Sequence, residues 1–166
     1  MNNIIIIAAM RDYDSAIGYQ GNLLYDIKED LNYFKEITYN NIVIFGSSTY
    51  IKLPHKPLIG RDNFVLSRKD IDYGVPKLKN IEEVLALAKN NPDKKVFICG
   101  GESVYKSFLD YSHEIYLTII KTNDTKIADT HFPEIDPQNW KMISVRADEE
   151  NINHKYPHYF CKYRKK

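Results

Sequence analysis

The stretch that decides the fold is Val96-Phe97-Ile98-Cys99-Gly100-Gly101-Glu102-Ser103-Val104-Tyr105. An apolar run without alternation is what a strand covered on both faces requires. Paired glycines follow, and then a helical pattern to residue 109. Such a turn lets an anion approach the amides of a helix start, where the dipole favours negative charge. A tight strand-to-helix turn also needs glycine without any ligand, so both readings stand.

The same pattern occurs upstream, where Ile42-Val43-Ile44-Phe45-Gly46 runs into Ser47-Ser48-Thr49. Those hydroxyls suit ordinary N-capping. Two such turns at the carboxyl ends of strands in one open sheet would, however, form the crevice where α/β folds bind ligands. Together they point to a nucleotide with more than one phosphate.

Further Ile/Val/Phe-rich runs at 4–8, 63–66, 115–120, 142–145 and 158–163 read as strands, and helical patterns cover 27–38, a short segment after Gly46, 80–90 and 102–109. Asn80 with Glu83 three residues later marks one helix start. Strand, helix, strand order implies crossovers. The expected fold is therefore α/β, one domain over 1–166. A central mostly parallel sheet of about eight strands is flanked by about four helices and ends in an antiparallel C-terminal edge.

Composition excludes much. The 166 residues are 43% hydrophobic and 27% charged, which suits a globular chain with a sizeable core. A net charge of +1 gives no basic field for nucleic acid. Cys99 and Cys161 form no Cys-x-x-Cys pair and fit a reducing compartment. The apolar N-terminus lacks a basic flank and is far shorter than the ~18 residues of a membrane span, so a cytoplasmic protein is expected. Neither a His-Glu-x-x-His, a Walker loop, a Gly-x-Ser-x-Gly nor a Gly-x-Gly-x-x-Gly occurs. His154 and His158 are separated by Pro157, and no metal is expected.

On the 27–38 helix, Ile27, Leu31, Phe34 and Thr38 make an apolar stripe, and Asp30 falls on it. A carboxylate aimed at a core needs a donor or a proton. It could serve the helix dipole or free amides. No Arg or Lys stands at helical spacing on the stripe, so a ligand's donors, such as a cationic or amidine-like ring, could be the partner. Only five of the basic residues are arginines, Arg11, Arg61, Arg68, Arg146 and Arg164. Arg61 and Arg68 flank one strand, and guanidinium forks suit carboxylate or phosphate, although surface pairing would explain them too.

These pieces resemble dihydrofolate reductase from residue 4 to about residue 163. The matching stretches are Ile7-Ala8-Ala9-Met10, Ile17-Gly18, Asp30-Leu31 with Phe34-Lys35, Val43-Ile44-Phe45-Gly46, and Pro57-Leu58 with Arg61. They continue with Leu66-Ser67-Arg68, Gly100-Gly101-Glu102 with Val104-Tyr105, Tyr116-Leu117-Thr118, and Asp129-Thr130-His131-Phe132-Pro133. The resemblance implies NADPH as cofactor and dihydrofolate as substrate, with antifolates as inhibitors and a monomer. Asp30 would hold the pterin's amidine-like edge and promote N5 protonation, and Thr118 would support it. Ile7, Ala9, Leu31, Phe34 and Cys99 would wall the rings, Arg61 would clamp the glutamate α-carboxylate, and Lys56 would also contact substrate.

On the cofactor side the resemblance implies Ala9 with Ala16, Ile17, Gly18 and Asn22 for the nicotinamide, in a loop that also closes the site and meets Asp129 in one conformer. Gly46, Ser48 and Thr49 with Gly100, Gly101, Glu102, Ser103, Val104 and Tyr105 would take the pyrophosphate and ribose, and Leu66, Ser67 and Arg68 the adenosine 2'-phosphate side. The chain departs from the family at Leu24-Tyr25, where Pro-Trp is usual, and at Ser47 and Ser103, where many bacterial relatives carry a base. Two rivals are a pyrimidine reductase of the riboflavin pathway, against which Asp30 with Arg61 argues, and a folate-binding relative without turnover. Direct assay separates the three.

Overall fold

The computed structural model describes residues 2–147 and 154–166. In chain order the elements are β1 (Ile4–Arg11), β2 (Ala16–Tyr19), β3 (Asn22–Leu23), α1 (Lys28–Thr38), β4 (Ile42–Gly46), α2 (Ser47–Lys52), β5 (Asp62–Leu66) and β6 (Lys77–Leu78). They continue with α3 (Ile81–Asn90), β7 (Val96–Ile98), α4 (Glu102–Phe108), β8 (Glu114–Ile120), β9 (Thr130–His131), β10 (Trp140–Arg146) and β11 (His158–Lys165).

Eight strands form one sheet in the order β10-β11-β8-β1-β7-β4-β5-β6, parallel from β8 to β6. Antiparallel pairing begins where β11 meets β8 and continues to β10, giving the expected C-terminal edge. Strand alternation sends the apolar runs to two cores. Ile4, Ile6, Ile42, Ile44, Val96 and Ile98 meet α3 and α4 through Val84, Ala88, Val104 and Phe108. Ile5, Ile7, Val43, Phe45 and Phe97 meet Tyr50 of α2 and Phe34 of α1 on the other face. This two-sided burial is why the runs do not alternate.

Asn80 caps α3 as expected: its side-chain oxygen accepts from the Glu83 amide at 2.9 Å, while Glu83 reaches back to the Lys79 amide at 2.7 Å. The sequence reading missed a small sheet, β3-β2-β9, because its strands are only two to four residues long. That sheet ties the segment after β1 to the segment after β8.

Candidate active site

Asp30 sits in the first turn of α1, yet its carboxylate turns to the sheet. Thr118 of β8, itself 2% exposed, donates from Oγ1 to Asp30 Oδ1 at 2.7 Å. Burial raises the Asp30 carboxyl above the usual carboxylate range, and the Thr118 hydrogen bond offsets only part of that rise. Service to the helix amides, the alternative reading, is not what the geometry gives.

The apolar stripe is interrupted. Ile27 and Thr38 are buried, Phe34 packs on the core, and Leu31 stands 42% exposed beside Asp30. The helix is anchored on another side, where buried Tyr33 stacks on Phe160 of β11 with ring centroids 4.2 Å apart. An apolar side chain left open next to a half-sheltered acid is what the wall of a ligand cleft would present. Ile7 and Cys99 are buried in the cluster that Phe34 packs against, and Ala9 lies beside Leu24 and Tyr25. Burial pushes the Cys99 thiol far up and its Sγ points to the Phe97 carbonyl, so it packs and does not attack.

Arg61 is held from α1 as well. Its Nη1 donates to Thr38 Oγ1 at 3.3 Å and its Nε to the Ile59 carbonyl at 3.0 Å. Thr38, 0% exposed, donates in turn to the Phe34 carbonyl at 2.7 Å. Among the described residues no acidic side chain pairs with Arg61, and its Nη2 is uncommitted. At the helical rise, Asp30 and Thr38 lie about 12 Å apart along the axis. One helix thus sets an acid and the support of a cation at opposite ends of one apolar wall. Lys56 is turned to the end of α2. Its ammonium donates to the Ile51 and Leu53 carbonyls at 2.7 and 3.3 Å, because the open carbonyls of the α2 end attract a cation.

The two glycine turns meet directly, with the Gly46 amide donating to the Gly100 carbonyl at 2.7 Å. A Cβ on Gly46 would stand 2.9 Å from Val104 Cγ2, and Gly100 has φ +109°, so side chains are barred from both walls of the cradle. Ser47, Ser48 and Thr49 do not cap α2, whose N-cap is Gly46 without a side-chain bond. Gly101 likewise opens α4.

Beyond the cradle, a cleft of about 260 Å³ is lined by Leu66, Ser67 and Arg68 after β5, by Lys79, Asn80 and Ile81 at the start of α3, and by Ser103, Val104 and Ser107 of α4. Arg68 is exposed and has no acidic partner among the described residues. Ser67 lines the same cleft. Its hydroxyl lies 3.0 Å from the Tyr73 hydroxyl and accepts from the Lys69 amide at 3.1 Å, so it shapes the loop that carries Arg68. Glu102 accepts from the His131 amide at 2.9 Å, and Tyr105 donates to the Ile7 carbonyl at 2.8 Å, so both brace α4.

A second, narrower void lies against Ala9, Ala16, Ile17, Leu23, Leu24, Tyr25 and Ile120. Gly18 and Asn22 belong to the β2–β3 ribbon over it, with Asn22 exposed. Asp129 meets this segment as expected, accepting from the Gln20 amide at 2.9 Å. Lys79 was missed by the sequence reading. Its signal was available, because it follows Leu78 at the carboxyl end of a strand next to β5, the side of the sheet where ligands gather.

A sequence model of the family described as "Dihydrofolate reductase" matches residues 3–165. Dihydrofolate reductase of Bacillus subtilis (strain 168) is 31% identical over 165 residues, covering 98% of this chain and 95% of that protein. The viral dihydrofolate reductase of Saimiriine herpesvirus 2 (strain 488) is 32% identical, covering 89% of this chain and 80% of that protein. The solved structure of dihydrofolate reductase from Enterococcus faecalis complexed with NADP(H) and RAB-propyl has a TM-score of 0.86 and 29% identity, covering 98% of this chain and 95% of that one.

Proposed function

The chain belongs to the dihydrofolate reductase family, and on that premise we propose that it reduces 7,8-dihydrofolate to 5,6,7,8-tetrahydrofolate with NADPH, as one domain over 1–166. The observation that carries the reading is the α1 arrangement: an acid that accepts from a buried threonine, and an arginine that has no acidic partner among the described residues, at opposite ends of an apolar wall. An elongated ligand with an amidine-like edge at one end and a carboxylate at the other matches it.

Asp30 takes the two-donor edge of the pterin, and Thr118 fixes the carboxylate in one orientation. Because burial raises its carboxyl, Asp30 retains a proton to higher pH than an exposed aspartate, and water can carry that proton to N5. Bound NADPH supplies the hydride that C6 receives. Ile7, Leu31, Phe34 and Cys99 exclude water from the ring, and the free edge of Arg61 takes the α-carboxylate.

The residues present fit the cofactor. The Gly46–Gly100 cradle admits a pyrophosphate against backbone, and beside it the hydroxyls of Ser48 and Thr49 have no partner among the described residues. Leu66, Ile81 and Val104 offer an apolar slot for a purine, with Arg68 and Lys79 as the cations for a 2'-phosphate. Ala9, Ala16 and Ile17 would meet the nicotinamide.

The test is direct. The purified chain should consume the absorbance of reduced nicotinamide only when dihydrofolate is added. Consumption with a riboflavin-pathway pyrimidine instead, or tight antifolate binding without turnover, would replace this reading with one of its rivals.

A further inference from the structure

We propose that Arg11, Tyr25 and Asp124 form a charged pin that holds the 12–25 segment over the narrow void at Ala9, with Tyr25 as the positioning residue. The inference rests on the function proposed above, since it assigns that void to the nicotinamide.

Arg11 ends β1 and is 3% exposed, although it carries a full charge. A guanidinium in that position is costly unless its donors are met. Here they are: Nε and Nη2 grip Asp14 at 2.9 and 2.7 Å, and Nη1 reaches Tyr25 Oη at 3.2 Å, Asp124 Oδ1 at 3.4 Å and the Lys126 carbonyl at 2.9 Å. Tyr25 donates from its hydroxyl to Asp124 Oδ1 at 2.5 Å. Burial, then the Asp124 hydrogen bond, pushes the Tyr25 phenol up to about 12, so it stays a neutral donor. Tyr13 donates to the Asp124 carbonyl at 2.5 Å.

Two segments therefore converge on the guanidinium that ends β1: 12–25, which carries β2 and β3, and the connection 121–127. Tyr25 is what joins this cluster to the void. Its ring lines the void while its hydroxyl enters the charge cluster. The tie is narrow, because Asp124 Oδ2 is buried without a hydrogen-bond partner and the carboxylate is held through Oδ1. Without the phenol, the Asp124 carboxylate keeps among the described residues only the 3.4 Å contact with Arg11 and the amide of Lys126 at 3.3 Å, while its backbone carbonyl keeps the Tyr13 hydroxyl. Packing alone does not require the hydroxyl, since phenylalanine fills the same wall. That separates positioning from bulk.

Tyr25→Phe, Asp124→Asn and the double variant test it, by amide hydrogen exchange of the ligand-free protein and by the NADPH dissociation rate. Each single variant should raise exchange in 12–24 and NADPH dissociation by about tenfold, the scale of one hydrogen bond to a charged group, with sheet amides unchanged. The double variant should lose no more than either single one. Exchange and dissociation within about twofold of wild type would overturn the pin, as would additive losses or a loss of protection throughout the sheet. A wild-type chain that binds no NADPH would refute the function instead, and the exchange measurement would still decide the tie.

Discussion

The two sides of this molecule that we assign to substrate and to cofactor are built in opposite ways. On the substrate side each polar group that faces the cleft is gripped from behind by a buried threonine, Asp30 by Thr118 and Arg61 by Thr38. On the cofactor side Arg68 and Lys79 stand exposed at the rim of their cleft, and the ordered parts are backbone. Groups that must meet a reacting ring within tenths of an ångström are held before the ligand arrives. Groups that meet a mobile, highly charged phosphate need only be near it. Substitutions on the first side should therefore change turnover and its pH dependence, and those on the second should change affinity and its salt dependence.

The largest effect is expected at Asp30. Asp30→Asn should keep the fold and lower turnover at neutral pH by about 10²- to 10⁴-fold, the range for a positioned acid or base. Burial raises the folded carboxyl, so the folded state binds more protons than the unfolded one between their two pKa values, and stability falls as pH rises through that window. The asparagine variant escapes this loss and should melt at neutral pH no lower than wild type. Wild-type turnover should decline as pH rises through the raised value, and the variant's should not. Near-normal activity in Asp30→Asn would break the contrast at its strongest point.

Arg61 comes next. Arg61→Ala should raise the KM for dihydrofolate by about 10- to 100-fold with little change in kcat, since a hydrogen-bonded charge contributes about 1.5–3 kcal/mol and acts far from the reacting ring. Thr38→Val should move KM in the same direction by less, because it removes the support and leaves the guanidinium. A pterin substrate without the glutamate should be indifferent to both. If it is not, Thr38 and Arg61 are stabilising α1 rather than gripping a carboxylate.

How far this contrast could be read from sequence depends on the residue. The strands were legible because runs such as Ile4-Ile5-Ile6-Ile7 serve two cores at once, and the turns were legible because Gly46 and Gly100 are places where a side chain does not fit. Asp30 was legible as an acid on an apolar stripe. Its partner came only from family resemblance, since Thr118 lies 88 positions away and meets it where α1 lies against β8, a contact that no local pattern encodes. Lys56, Ser67 and Glu102 each meet a backbone group in this structure, a pairing that no local pattern in the sequence displays. The two-residue strands fell below any periodicity that a sequence can display.

The smallest effects are expected at the cofactor rim, and they sharpen the contrast by being small. An exposed cation facing a phosphate contributes about 1 kcal/mol or less, so Arg68→Ala and Lys79→Ala should each weaken NADPH by about threefold to fivefold. Neither should alter NADH, which lacks the 2'-phosphate. Because both cations lie in water, raising salt from about 0.1 to 1 M should shrink the difference between wild type and either variant. The double variant should lose close to the product of the two, since neither residue is positioned by the other. Isothermal titration with both nucleotides at two ionic strengths decides it. A salt-independent loss at Arg68 as large as that at Arg61 would mean that the phosphate cation is as firmly held as the carboxylate clamp. The two sides would then not differ in the way their hydrogen bonds indicate.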